Sequence, residues 1–374
     1  MVCHCWEFKF LKKCKKLRRR LFVRGFLVYF IVSALLLMFI GSWRISLFHA
    51  GNSFVGTGLE HFAKVTFGEM SLLSLYVAFY LSVLASFLDV FVFRTYFKRF
   101  SFGVYMLLSV VIEVIVVWVI LYYSNMFFVS YVFELKEGVS VNLGDIPDIS
   151  FISIYLLLIV ALCHFLLEID QKLGRGNLWK FVTGRFYKPR TENRIFMFLD
   201  LRGSTNIAEQ IGHLNFSRLL QDCFNDLAVV DPYYAKVYQY VGDEVVISWN
   251  AERGIAKNNF IHAFFAFQKR LKSKAEFYKT SYGFVPEFKA GVHIGECTVS
   301  ELGDLKREIA YSGDTLNTAA RIESMCNPLQ SDFLISEILK NSLVEKSEFS
   351  FDEKGCVGLK GKSVKVNLFN VELK

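Results

Sequence analysis

Two aspartates, Asp200 and Asp243, are placed where they could build a metal site. Asp200 ends the apolar stretch "RIFMFLDL", Arg194–Leu201, and Asp243 lies in "YQYVGDEVVISW", Tyr238–Trp249. The first stretch predicts a buried strand, and the second predicts a hairpin that turns at Gly242. If the two strands are neighbours in a sheet, both carboxylates reach one edge, where carboxylates and nucleotide phosphates can hold Mg²⁺. An ordinary turn and a helix cap also fit these residues, so the pair alone leaves both interpretations open.

The segment after Asp200 is a candidate phosphate-binding turn. It reads "RGST", and Gly203 permits close approach of a ligand to the backbone. Ser204 and Thr205 open the next predicted helix, whose first N–H groups are free to donate to phosphate oxygens. An ordinary helix N-cap is the alternative.

The elements that must position these residues alternate between strands and helices. The order strand, helix, hairpin, helix, strand predicts a ferredoxin-like α+β domain. The predicted elements are a strand at 194–201, helices at about 206–228 and 255–278, the hairpin around Gly242, a strand pair in "EFKAGVHIGECTVSEL" and a helix in "DTLNTAARIESMC".

The composition predicts a membrane domain before this α+β domain. The chain of 374 residues is 53% hydrophobic and contains 39 phenylalanines. Its mean hydropathy is +0.35. Four apolar segments approach or exceed the ~20 residues of a spanning helix. They are Leu21–Ile40, Met70–Phe93, Phe102–Phe128 and Phe151–Leu167. We therefore expect an α-helical membrane domain of four transmembrane helices.

The charges that flank these segments predict an orientation and a set of domain boundaries. The basic run Lys9–Arg20 contributes to the net charge of +8 and could bind nucleic acid. Directly before an apolar segment, it fits anionic lipid better, so we expect a lipid bilayer and no nucleic acid as partner. The predicted protein is multi-pass in the inner (plasma) membrane, with its N-terminus and catalytic domain cytoplasmic. The predicted domains are a basic N-terminus at 1–20, membrane helices at 21–168, a connector at 169–192 and a catalytic domain at 193–374.

Two acids, Asp89 and Glu113, interrupt the apolar segments. Glu113 lies deeper within its segment, where an ionised carboxylate is costly. We expect it to be protonated, paired or part of a sensing site.

Five motifs in the second half occur together in order: "FLDLRGST", "VGDEVV", "FKAGVHIGE", "YSGDTLNTAAR" and "LKGK". Together they resemble the catalytic domain of class III nucleotidyl cyclases over Arg194–Val371. The four apolar segments and connector also resemble bacterial membrane adenylate cyclases. The resemblance implies an enzyme that converts ATP into cyclic AMP and pyrophosphate in signal transduction.

The resemblance also implies roles for individual residues. Asp200 and Asp243 match the aspartates that bind two Mg²⁺ or Mn²⁺ ions. Asn317 and Arg321 share one helix face. Asn317 matches the asparagine that orients the ribose, and Arg321 matches the arginine that stabilises the transition state. Lys360 matches a phosphate-binding lysine. Because family sites lie between two catalytic domains, a head-to-tail homodimer is expected.

The positions that read the base depart from the family pattern. Adenylate cyclases commonly carry lysine at the position of Gln239 and Asp or Thr at that of Ala310, whereas guanylate cyclases commonly carry Glu at the first. The amide of Gln239 both donates and accepts, so it does not select one base. We prefer adenylate cyclase, while guanylate and pyrimidine cyclases and a non-catalytic nucleotide-binding receptor remain alternatives.

A diguanylate cyclase is a further alternative, because its hairpin reads G-G-D-E-F. Val241 replaces the first glycine here, and that family requires neither an N-x-x-x-R helix nor a terminal "KGK" strand. Both differences favour the nucleotidyl cyclase interpretation.

Overall fold

The structure, a computed structural model, divides into two units, with the boundary between Leu173 and Gly174. It describes residues 21–35, 67–93, 103–116, 149–172, 177–305, 307–344, 347–357 and 365–374, together with residues 19, 38, 119 and 174.

The described part of the first unit is helical. Its helices are α1 at 21–35, α2 at Phe67–Phe87, α3 at 103–116 and α4 at Ile149–Lys172, and α2 continues into a π-helix at Leu88–Phe93. A small apolar core joins α1, α2 and α4. It contains Tyr29, Ala85, Ile159, Cys163 and Leu167.

The predicted membrane domain is wrong. Within the described ranges, no helix combines the length and the apolar character needed to cross a membrane. The predicted fold class of four transmembrane helices and the multi-pass membrane location are therefore corrected. Sequence hydropathy shows where apolar residues cluster but not where a helix begins and ends. Helices α1 and α3, as far as they are described, fall short of the ~20 residues of a span. The basic run Lys9–Arg20 lies almost entirely outside the described residues.

The second unit combines helices with one mixed sheet, which agrees with the predicted ferredoxin-like α+β order. Its helices are α5 (Asn177–Val182), α6 (Ser204–Asp226), α7 (Ala251–Ile255), α8 (Asn259–Ser273), α9 (Ala275–Tyr282), α10 (Asp314–Ser324) and α11 (Glu337–Asn341). Its strands are β1 (Arg190–Leu201), β2 (Lys236–Val241), β3 (Glu244–Asn250), β4 (Phe288–Leu302), β5 (Glu308–Ser312), β6 (Phe333–Ser336), β7 (Phe349–Val357) and β8 (Val366–Leu373).

The sheet places β1 between β3 and β4. The strand order is β2-β3-β1-β4-β6-β8-β7, and β5 pairs with β4 beside this path. Only β4 and β6 run parallel among the described pairs. Residues 195–199 of β1 are a continuous apolar run because both faces of this central strand are covered.

Two predicted elements differ from the observed ones. The predicted helix at 255–278 is divided into α8 and α9, because Lys274 between them leaves the helical conformation. The predicted strand pair at 287–302 is one continuous strand, β4. Gly291 and Gly295 lie within the strand, where helix α10 packs closely against them.

Candidate active site

Three charged side chains form a row across neighbouring strands at the end of β1. Asp200 is directly opposite Glu244 of β3 and directly opposite Lys289 of β4. Opposed residues of antiparallel strands project from the same face of a sheet. The nitrogen Nζ of Lys289 lies 3.1 Å from Oδ2 of Asp200. Strand register therefore places the positively charged side chain of Lys289 beside Asp200, the first predicted metal ligand.

Asp243 lies at the hairpin turn next to this row. Gly242 precedes it with φ of 62°, a left-handed conformation that glycine adopts without steric cost. The turn joins β2 to β3, and Glu244 opens β3 directly after Asp243. The negative charge of Asp243 acts on both Asp200 and Glu244. The structure thus brings the two predicted metal aspartates to one edge, as the sequence indicated.

Helix α10 supplies a fourth carboxylate. Glu323 of α10 is 7% exposed, and its Oε1 lies 2.7 Å from Nζ of Lys289. Helix α10 reaches this position because β4 carries glycine where the two backbones meet. A Cβ atom on Gly291 would lie 2.0 Å from the backbone nitrogen of Glu323. Close packing of the α10 backbone against the β4 backbone therefore places Glu323 next to Lys289.

The excess of carboxylates changes the protonation of the site. Burial raises the pKa of Asp200 to about 6, and the charges of Glu323 and Asp243 act in the same direction. The hydrogen bond and charge of Lys289 oppose this rise. Burial also raises the pKa of Glu244 to about 7, with further contributions from the neighbouring carboxylates. The site holds more negative charge than its lysine balances.

These residues fit a divalent cation. Carboxylate oxygens are the ligands that Mg²⁺ and Mn²⁺ prefer, and a cation would offset both the burial and the carboxylate repulsion that raise these pKa values. Within the described ranges, no group of three or more His, Cys, Asp or Glu residues could hold a metal by itself. Mg²⁺ is commonly held by one or two carboxylates together with substrate phosphates, which is the arrangement that Asp200 and Asp243 suit.

The backbone after Asp200 forms a sharp turn into α6. Gly203 has φ of 69° and is the N-cap of this helix, and no side chain makes a capping hydrogen bond there. The ordinary side-chain N-cap, which was the alternative interpretation of Ser204 and Thr205, is therefore absent. The N-terminus of α6 is consequently able to donate hydrogen bonds to an anion.

Asn317 and Arg321 lie on α10, one helical turn apart, and Asn317 is exposed. Neither side chain makes a hydrogen bond or ion pair with another residue that the structure describes. Glu323, which follows Arg321 by two residues, pairs with Lys289.

The two predicted base-reading positions lie on β2 and β5. Gln239 is exposed and follows an irregularity in the pairing of β2 with β3, whereas Ala310 is half-buried opposite Ser300. Each has a tyrosine neighbour in the chain, and these tyrosines connect the two strands. The backbone N–H of Tyr311 donates to the hydroxyl of Tyr238 at 3.3 Å.

Lys360, the remaining predicted phosphate ligand, lies outside the described residues. Sequence reasoning missed Lys289, and it assigned no role to Glu244 or Glu323. One signal could have identified Lys289, which is a charged residue within an apolar strand. A buried lysine requires a paired charge.

Comparisons with known proteins agree with this geometry. A family model described as the adenylate and guanylate cyclase catalytic domain matches residues 186–372. The protein "Adenylate cyclase 2" of Rhizobium meliloti (strain 1021) is 34% identical over 210 residues, which cover 55% of this chain. The chain spans 57% of the length of this curated relative.

A solved structure supports the fold. The structure of a bacterial light-regulated adenylyl cyclase aligns with a TM-score of 0.50 and 19% identity, over 62% of this chain and 68% of its own. The adenylyl cyclase CyaB from P. aeruginosa aligns with a TM-score of 0.45 and 22% identity, over 50% of this chain and 97% of its own. The family model and the curated relative confirm the predicted nucleotidyl cyclase family, and we conclude that the chain belongs to the adenylate and guanylate cyclase catalytic domain family.

Proposed function

We propose that this protein is an adenylate cyclase, which converts ATP into 3′,5′-cyclic AMP and pyrophosphate. The observation that carries the proposal is the carboxylate-rich edge formed by Asp200, Asp243 and Glu244, with Lys289 as its cation. The similarity to a protein named "Adenylate cyclase 2" supports adenine nucleotide as the substrate.

The reaction is an intramolecular displacement at phosphorus. The ribose 3′-hydroxyl attacks the α-phosphorus in line, its proton passes to solvent, and the bond to pyrophosphate breaks. Two Mg²⁺ or Mn²⁺ ions, when bound, supply positive charge that activates the hydroxyl and stabilises the leaving pyrophosphate. Asp200 and Asp243 would hold these ions through their carboxylate oxygens.

The other residues act by positioning and by electrostatics, which dominate catalysis of phosphoryl transfer. The N–H groups at Gly203, Ser204 and Thr205 bind phosphate oxygens. Asn317 orients the ribose, and Arg321 stabilises the negative charge of the transition state. Lys360 binds phosphate in the same proposal.

The active unit is a head-to-tail homodimer with two equivalent sites. One domain supplies the aspartates, and its partner supplies Asn317 and Arg321. The lack of described side-chain partners for these two residues supports this arrangement, because both are then available to a second copy.

Gln239 and Ala310 occupy the positions that contact the base of the nucleotide and select it. A glutamine amide can pair with the N1 and N6 groups of adenine and, when flipped, with the N1–H and O6 groups of guanine. The exposure of Gln239 agrees with a position that meets its ligand from a partner domain.

Product identification tests the proposal. The full chain is incubated with Mn²⁺ and separately with ATP, GTP, CTP and UTP, and the products are identified by mass spectrometry. Cyclic AMP from ATP alone is expected. Formation of another cyclic nucleotide would mean that the reaction is as proposed but the substrate is not ATP. A linear dinucleotide from GTP would indicate a diguanylate cyclase. Nucleotide binding without turnover would indicate a receptor.

A further inference from the structure

The first unit encloses a small cavity, which we call the Glu113 cavity. Its volume is about 20 Å³. A water-sized species needs roughly 10–15 Å³, so the cavity has room for one small guest. Its polar lining consists of Tyr29, Ser33, Ser82 and Glu113, and all other lining residues are aliphatic.

The carboxylate of Glu113 is buried in the wall of this cavity. The residue is 1% exposed, and neither carboxylate oxygen meets hydrogen-bond geometry with a residue that the structure describes. Nε2 of His164 forms an ion pair with Oε1 at 3.1 Å when the imidazole is protonated. Burial raises the pKa of Glu113. A buried carboxylate is costly unless it is both paired and hydrogen-bonded, so a further donor or positive charge would stabilise this group.

The two serines of the cavity offer acceptors rather than donors. The hydroxyl of Ser33 donates to the carbonyl oxygen of Tyr29, and the hydroxyl of Ser82 donates to that of Ala78. Each hydroxyl proton is therefore used within its own helix, and each serine oxygen is left as an acceptor. A guest that meets two serine oxygens and a carboxylate must itself donate hydrogen bonds or carry positive charge.

A second buried acid adds to the negative charge. Asp89 is 2% exposed and accepts a hydrogen bond from the hydroxyl of Tyr105 at 3.2 Å. Its charge acts directly on Glu113. Asp89 belongs to the π-helix that follows α2, and such π-helical turns occur frequently at functional sites. The imidazole of His164 pairs with Glu113, so the charge of Asp89 remains as a further negative charge near the cavity.

We propose that the Glu113 cavity binds one small monovalent cation of the size of ammonium. The carboxylate of Glu113 neutralises the cation, and the oxygens of Ser33 and Ser82 complete its contacts. The site lies within the first unit and is independent of the proposed cyclase reaction.

Hydrogen exchange of the full chain tests this proposal. Amide exchange is followed by mass spectrometry in ammonium chloride and in choline chloride at equal ionic strength, since choline is too large for the cavity. We expect ammonium to slow exchange in peptides from α2 and α3 in a saturable manner, because a ligand that binds only the folded form stabilises it. Peptides from the sheet of the second unit should not respond.

Three variants distinguish binding of ammonium in the Glu113 cavity from a general effect of salt on hydrogen exchange. Glu113→Gln keeps the size of the side chain but removes its charge, so the ammonium-dependent protection should disappear. Ser82→Ala should retain protection but require about tenfold more ammonium, equivalent to the loss of one contact. Glu168→Gln on α4 does not line the cavity and should behave as the unmodified chain does.

The alternatives give different results. Protection by sodium or potassium in place of ammonium supports a small monovalent cation and identifies the preferred ion. Equal exchange in ammonium and choline, or an unchanged ammonium response in Glu113→Gln, would overturn the proposal. The first of these results would mean that Glu113 is protonated and the cavity holds at most water.

Discussion

Lys289 lies between Asp200 and Glu323, with its Nζ 3.1 Å from Oδ2 of the aspartate and 2.7 Å from Oε1 of the glutamate. One buried lysine thus connects strand β1 with helix α10 at the candidate active site. Burial lowers the pKa of Lys289, but the two carboxylates outweigh this effect, and the pKa is raised overall. The lysine therefore stays charged and compensates part of the negative charge of the site.

Replacing this lysine should change the pH dependence of catalysis. In Lys289→Met, Asp200 loses the hydrogen bond and the charge that lower its pKa. The acidic limb of the rate profile should then move to higher pH by about one unit or more, since a nearby opposite charge shifts a carboxyl pKa by that amount. Rates of cyclic AMP formation between pH 5 and 9 measure the shift. A lower rate with an unmoved limb would contradict this role.

The stability of the metal-free protein should fall as pH rises. The pKa values of Asp200 and Glu244, about 6 and about 7, exceed the ~4 of an unfolded chain. A raised folded-state pKa stabilises the fold below the unfolded value, and this contribution is lost as pH rises through the folded value. The free energy of unfolding should therefore decrease between about pH 4 and 7. Denaturant titrations in the presence of EDTA measure it.

A variant isolates the contribution of one carboxyl. Glu244→Gln removes a group with a raised pKa, so the decrease with pH should be shallower than in the unmodified protein. Glu276→Gln changes an exposed residue of α9 and serves as the control. If the free energy of unfolding decreased with pH equally in all three proteins, the pKa of Glu244 would not be raised in the folded state.

The proposed dimer can be tested by complementation. Asp243→Asn and Arg321→Ala should each abolish turnover when expressed alone. Mixed in equal amounts before assembly, they should form heterodimers in which one of the two sites is intact. Random pairing then restores about a quarter of the unmodified activity. No recovery in a verified mixture of dimers would mean that the aspartates and the arginine act within one chain.

Gly291 is predicted to be essential for packing of α10. The Cβ atom of Gly291→Ala would meet the backbone of Glu323 at 2.0 Å, so the helix must move. We expect a loss of about 1–3 kcal/mol in the free energy of unfolding. Gly295→Ala is the matched comparison, because its Cβ would meet a side-chain atom, Oγ1 of Thr315, at 2.6 Å. A larger loss in Gly295→Ala than in Gly291→Ala would contradict this explanation.

Local patterns of sequence predicted the elements that carry the two aspartates. The apolar run before Asp200 and the glycine turn before Asp243 are signals within single segments, and β1 and the hairpin form at those positions. Tertiary contacts decided the remaining features. The strand pair predicted at 287–302 is one strand, in which Gly291 and Gly295 admit α10, a helix that follows later in the chain. The pairing of Lys289 with Glu323 depends on the same contact.

The first half of the chain shows the limit of hydropathy as a predictor. It correctly suggested helices, but its prediction of four spans was wrong. Average hydropathy also does not indicate which polar residues of these helices are buried together, although Glu113 was recognised as costly to bury. The burial of Ser82, Asp89 and His164 together with it is a property of helix packing.

Turnover by variants of the two aspartates tests the central claim most directly. We expect Asp200→Asn and Asp243→Asn, in the full chain with Mn²⁺ and ATP, to form cyclic AMP about a thousandfold more slowly, because several kcal/mol of charge stabilisation are lost. Asp304→Asn, at an exposed position, should retain the unmodified rate. Turnover by either variant close to that of Asp304→Asn would show that the carboxylate-rich edge is not the active site.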